Sequence, residues 1–250
     1  MDRGPSSDPE PEAERFEQAL SGYRDVELLG LLARSSNYTF LVRLKEAGCE
    51  PLLAVYKPKR GESPLWDFPD GTLYRRELAA YRLSRCLGWP RIPPTVARAD
   101  APHGIGALQL FIESDPTRHY LRKRGAPVRT WAEAAVFDFI VNNADRKAGH
   151  CLVDAAGRSW LVDHGLTFHP EPKLRTVIWD FAGQPLPEQL RGDVLRAAAE
   201  VERGELHDAL RELISATELT ALQRRLRAAL SRGWVLPEPT SAWSLPWPPV

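Results

Sequence analysis

The stretch Asn142–Phe168, NNADRKAGHCLVDAAGRSWLVDHGLTF, decides the fold. A polar loop (Ala144–His150) leads into CLVD, a turn AAGR, a second run SWLVD, and a sharp His164–Gly165 step. Two short apolar runs around a glycine turn predict a β-hairpin. A hairpin returns its ends to roughly the inter-strand spacing of ~5 Å. Asp145 and Asp163, eighteen residues apart, therefore meet beside His150. Phosphoryl transfer needs such a pair: one carboxylate orients the attacking hydroxyl, another holds a divalent ion on the phosphates. His150 stands where a third metal ligand would project. The bland alternative is a solvated loop with two capping aspartates. Gly149 and Gly165, turn signals at both hairpin ends, weigh against it.

Upstream, Tyr38–Leu44 (YTFLVRL) and Pro51–Tyr56 (PLLAVY) flank an Ala-Gly-Cys-Glu turn and predict an antiparallel hairpin. A Pro- and Gly-rich loop follows, holding Trp66 and Phe68, read either as a flap or as exterior packing. Residues Thr72–Leu87 form a predicted helix capped by Thr72 and stopped by Gly88, with Leu73, Glu77, Ala80, Tyr81 and Ser84 on one side. Ala107–Ile112 is a further extended run. Thr130–Asn143 is a second helix, with Thr130 and Glu133 as a capping box. Pro187–Trp234 is helical and rich in Arg, Ala and Leu. Strands plus one helix come first and a mainly helical portion second, which predicts an α+β, two-lobed chain.

Two further signals point toward the same chemistry. Lys57 ends an apolar strand, and Glu77 lies mid-helix twenty residues on. Such a lysine is an ordinary snorkelling edge residue, or it grips phosphates and is held by the glutamate. Ser35, Ser36 and Asn37 open the first hairpin and offer small donor groups to phosphates; an ordinary turn explains them equally well. Lys173-Leu174-Arg175-Thr176 adds two cations, either solvated or set to hold an anionic substrate.

Composition narrows the classes. The 250 residues carry 33 basic and 33 acidic side chains, so no overall field draws nucleic acid or an anionic membrane. Three cysteines without a C-x-x-C pair point away from a disulfide framework or zinc site and toward a reducing cytoplasm. No apolar run approaches ~18 residues, so no transmembrane segment is expected. The acidic, Pro-rich start has no apolar h-region of a signal peptide. Residues 1–19 are expected to be a disordered leader, 20–108 and 109–234 the two lobes, and 235–250 a Pro/Trp-rich tail. Trp243 and Trp247 of that tail dock on the body, the favoured reading, or on a partner.

Together, Lys57-Pro58-Lys59, Arg76–Tyr81, Leu87-Gly88, Ile92–Thr95, Asp145-Arg146 and Val162–Phe168 resemble the phosphatidylinositol 3-/4-kinase superfamily, in that family's order, across roughly residues 30–180. The closest resemblance is to its type II 4-kinase branch and small actinobacterial relatives. The resemblance implies a protein-kinase-like bilobal fold binding ATP and a divalent metal, Mg or Mn, in the cleft. It makes Lys57 a phosphate contact anchored by Glu77, Asp145 the catalytic aspartate, Asp163 the metal aspartate, and Leu108–Glu113 the inter-lobe hinge. Phosphoryl transfer to an unidentified lipid, small-molecule or protein hydroxyl follows.

Where the family carries a metal-binding asparagine, this chain has His150, and the lipidation cysteines of the type II kinases are missing. A pseudokinase or nucleotide-binding scaffold is thus the second reading. A metallohydrolase built on His150, Asp163, His164 and His169 is a third, disfavoured because no H-E-x-x-H pair appears.

Overall fold

Five strands pair into an antiparallel sheet in the computed structural model, which describes residues 9–32, 37–115, 120–122 and 128–249. The strands are β1 (Asp25–Leu31), β2 (Phe40–Lys45), β3 (Leu52–Pro58), β4 (Thr95–Arg98) and β5 (Gly106–Leu110), in spatial order β1-β2-β3-β5-β4. The expected β2–β3 hairpin is present, with Phe40 opposite Tyr56 and Leu44 opposite Leu52. Period-two alternation sends Val42, Leu44, Ala54, Tyr56 and Leu108 to one face, where they are fully buried. The sequence reading did not single out β1 and β4.

Residues 9–19 are not a disordered leader but most of helix α1 (Pro9–Gly22). Only a few apolar side chains anchor it, yet Leu20 is fully buried in the sheet's core cluster and Tyr23 packs against it. Arg98 of β4, itself buried, donates to the Leu20 carbonyl at the helix's C-terminal end. Packing, not composition, supplies the stability of such a helix.

The chain forms two compact units that are not successive halves of the sequence. One comprises Met1–Pro64 and Pro93–Phe111, the other Leu65–Ile92 and Ile112–Val250. The first holds α1 and the sheet. The second holds α2 (Leu73–Leu87), α3 (Val128–Val141), the hairpin β6 (Cys151–Val153) and β7 (Ser159–Leu161), α4 (Glu188–Arg203), α5 (Glu205–Arg211) and α6 (Ala216–Leu230).

Helix α2 belongs with the helical unit because nearly all its length is buried there, against α4 and α5. Gly88 ends it in the left-handed conformation at φ 83°, its amide bonded to the Ser84 carbonyl. Thr72 stands at the N-cap position without capping by its hydroxyl, which donates instead to the Pro69 carbonyl. Helix α3 begins at Val128, so Thr130 lies inside its first turn and is not its cap. Trp131, Phe137, Ile140, Leu83, Val194 and Leu222 meet in the unit's core.

Candidate active site

Hairpin β6–β7 pairs Cys151 with Leu161, and the Val162 amide continues the ladder to the His150 carbonyl at 3.0 Å. The loop before β6 and the residues after β7 are thereby brought together. His150 Nε2 lies 3.3 Å from an Asp163 carboxylate oxygen. Asp145 feels the Asp163 charge directly. Its carboxyl is pushed up to about 6, chiefly by burial, with Asp163 raising it further while Lys147 pulls the other way. The Lys147 ammonium is 3.3 Å from Asp145. The hairpin thus brings His150 against Asp163 and leaves Asp145 within range of the Asp163 charge.

Asp163 has a left-handed backbone, φ 61°, unusual for a residue with a side chain. Two contacts hold that conformation. The Val162 carbonyl accepts from Arg146, and the next amide, of His164, donates to Glu77 at 3.0 Å. One oxygen of Glu77 is thus committed to the backbone beside Asp163. The Asp163 side chain itself stays half exposed.

Beneath these groups runs a buried polar chain. Asp138, inside the apolar run AVFDFIV of α3, receives Arg146 through three contacts of 3.0–3.2 Å, both side chains fully buried. Arg146 reaches His164 Nε2 at 2.8 Å. Guanidinium only donates, so Nε2 accepts and the proton sits on Nδ1, 4.0 Å from Glu77. Asn143 adds two bonds: its side-chain oxygen accepts from the Asp145 amide, and its NH2 donates to Asp138. Asn142 (φ 54°) spans to the His169 and Glu171 carbonyls and the Lys173 amide. The loop is shaped by buried charge and amide pairing, which is costly unless complete.

Motif spacing in the sequence assigns none of these tasks to Asn142, Asn143, Arg146 or Asp138. A charged residue inside the apolar run AVFDFIV was the available signal.

His150 sits at the end of a short 3-10 turn, Ala148–His150. The Lys147 amide donates to its Nδ1 at a long 3.4 Å, so the neutral ring carries its proton on Nε2, facing Asp163. Among the described residues no group of three His, Cys, Asp or Glu side chains stands ready to hold a metal ion by itself. Asp163 and His150 make a two-donor set. That fits a divalent ion arriving on a nucleotide, whose phosphates complete the ligand sphere.

In the other unit, Lys57 pairs with Ala107 across β3 and β5 and shares a sheet face with Val55. The Asn37 side-chain oxygen accepts from the Ser63 amide at 2.8 Å. Ser35 and Ser36 lie outside the described residues. Of the two cations after the hairpin, Lys173 is paired with Asp67 at 3.0 Å and lies over the Trp66 ring, while Arg175 is exposed. His119 is also outside the described residues. His103 stacks on Phe40 at 4.7 Å.

The chain is 40% identical, over 267 aligned positions, to Protein Rv2133c of Mycobacterium tuberculosis, covering 93% of this chain and 95% of that one. It belongs to that protein's family. A shorter stretch is 31% identical over 108 positions to phosphatidylinositol 4-kinase gamma 4 of Oryza sativa subsp. japonica, covering 36% of this chain and about a fifth (19%) of that relative.

Among solved structures, hydra Fam20 with sugar superposes with a TM-score of 0.50 at 17% identity, covering 90% of this chain and 89% of that one. The proinflammatory kinase CtkA of Helicobacter pylori does so with a TM-score of 0.51 at 11% identity, covering 83% and 92%. No protein-family profile matches the chain. The fold is kinase-like, an antiparallel sheet followed by a helical region, as the motif resemblance implied. Among the described residues, no helix is long and apolar enough to cross a membrane.

Proposed function

We propose that this protein is an ATP-dependent phosphotransferase acting on a hydroxyl acceptor. The observation that carries the reading is the approach of Asp145, with its carboxyl pushed up to about 6, and the half-exposed Asp163 at the two ends of the β6–β7 hairpin in a kinase-like fold. The Asp145 carboxylate orients the acceptor hydroxyl and receives its proton as the new oxygen–phosphorus bond forms. The bond between the γ-phosphorus and the bridging oxygen breaks, and ADP leaves with that oxygen. Asp163 and His150 hold the divalent ion, which supplies neutralisation of phosphate charge. Lys57 is assigned to the α and β phosphates from its place near the end of β3, with Glu77 as its anchor. Ser35, Ser36 and Asn37 are assigned to the phosphates from their place in the preceding loop. The exposed Arg175 suits an acceptor that carries an anionic group.

A second reading, a nucleotide-binding scaffold without turnover, is favoured by the His150 proton facing Asp163, since that nitrogen must lose its proton before it binds a metal.

The test is label transfer from γ-labelled ATP, with Mg or Mn, into lipid, small-molecule and protein fractions of a cell extract. Wild type labels one fraction, and Asp163→Ala abolishes labelling while keeping its melting temperature. Stabilisation by ATP–metal without labelling in any fraction, from wild type and His150→Asn alike, selects the scaffold. Absence of any ATP binding defeats both readings.

A further inference from the structure

The Pro/Trp-rich segment near the end of the described chain lies against the loop that carries Asp145 and His150. The Pro249 carbonyl accepts from the Ala148 amide at 2.9 Å, at the start of the turn ending in His150. The Ser244 carbonyl accepts from the Thr176 amide at 3.1 Å and from the Trp179 indole at 3.3 Å. Thr176 in turn is bridged to Arg146, whose amide and carbonyl bond to the flanking Arg175 and Val177. Both strap contacts therefore land on segments adjoining Asp145, one after it in sequence and one beside it in space.

The composition suits this task. Proline has a carbonyl acceptor but no N–H donor, so a proline-rich strap satisfies buried donors while bringing few of its own. Ala148 and Thr176 are buried (0% and 2% exposed), and an amide there without an acceptor would force the loop to rearrange toward water. The strap is also sided. Ser244 and Pro246 are buried, whereas Trp243, Leu245 and Trp247 face outward, the two indoles 80% and 88% exposed. Its backbone docks on the body while its tryptophans do not. The Ser244 hydroxyl oxygen fixes the strap's own turn by accepting from the Thr240 and Ser241 amides.

We infer that the segment Ser241–Pro249 is a positioning element of the active loop, holding the Asp145–His150 turn in place through main-chain acceptors. The bracing follows from the geometry alone. Its consequence for metal–nucleotide binding rests on the phosphotransferase reading.

The experiment compares the full chain, a chain ending at Thr240, and Ser244→Ala by residue-resolved amide hydrogen exchange. Exchange at Ala148 and Thr176 rises about tenfold or more in the shortened chain, while α3, α4 and α6 keep their protection. Ser244→Ala gives a smaller rise at the same two amides, and a synthetic 241–249 peptide added in trans restores protection. Trp243→Ala changes neither amide. Unaltered exchange at Ala148 and Thr176 overturns the inference. So does loss of protection spread evenly over the helices, which makes the strap a general clamp.

In parallel, the apparent Kd for ATP with Mn weakens several-fold on shortening and recovers with the peptide, a change that a remote stabilising role would not produce. An affinity that stays constant while the two amides open removes the strap's functional role. Absence of ATP binding by the full chain, with the amides responding, leaves the brace standing and brings down the phosphotransferase reading.

Discussion

At the scale of single residues, Asp145 makes a sharp demand on pH. Burial lifts its carboxyl from an ordinary 3.8 to about 6, against the pull of Lys147. The folded state thus holds this proton more tightly than the unfolded chain does. The resulting stabilisation is complete below about 3.8 and is lost as pH rises through about 6. Above that, the buried carboxylate is a cost of about 1–3 kcal/mol. Asp145→Asn removes the cost, so at pH 7.5 it should melt a few degrees higher than wild type, and near pH 4 the two should coincide. Thermal melts across this range check the expectation; a variant less stable at pH 7.5 would show that the Lys147 pair outweighs burial. If the proposed function holds, phosphoryl transfer draws on the Asp145 carboxylate and should climb through about pH 6 and level off above it.

At the scale of elements, the placement of Lys57 depends on how closely β3 and β5 approach. Gly106 lies opposite Pro58 on one side and Arg98 on the other. A Cβ there would sit 2.4 Å from the Lys57 carbonyl oxygen and 2.7 Å from Pro58 Cα. Neither is the yielding tip of a side chain, so Gly106→Ala must splay the two strands, at about 1–3 kcal/mol. Urea unfolding should show that loss, and ATP affinity should fall with it as the end of β3 shifts. Gly30→Ala, with open space around its Cβ, serves as the comparison and should leave both unchanged. The β2–β3 and β6–β7 hairpins were legible because each is written in adjacent residues: alternation on both sides of a glycine turn. Strands β1 and β4 were not, since β1 ends in ELLGL without clean alternation, and the four-residue β4 exists only by pairing with β5.

At the scale of the whole molecule, the chain passes from one unit to the other after Pro64, Ile92 and Phe111. The last passage falls within the stretch 108–113 read as a hinge. Lys57 is in one unit, and Asp145, Asp163 and His150 are in the other. On the proposed function, Asp163 and His150 hold the ion together with the nucleotide's phosphates, so ion and nucleotide bind as one. ATP with Mn should raise the melting temperature, and Mn alone should not, in a thermal-shift series run with each component separately. Equal stabilisation by Mn alone would point to a resident metal site, contrary to the proposed assembly.

The β2–β3 and β6–β7 hairpins, helix α2 and the approach of Asp163 to His150 are written in the residues themselves. Those follow from turn residues and short-period alternation, which act over neighbouring positions and need no knowledge of the rest of the chain. It took the folded chain to make residues 9–19 helical, to join Asp138, Arg146, His164 and Glu77 into one buried chain, and to bring Pro249 and Ser244 to the segments flanking Asp145. Each of these depends on partners far along the sequence, such as Leu20 with Arg98 or Ala148 with Pro249. A buried donor or charge declares its partner only after folding has removed water as the alternative.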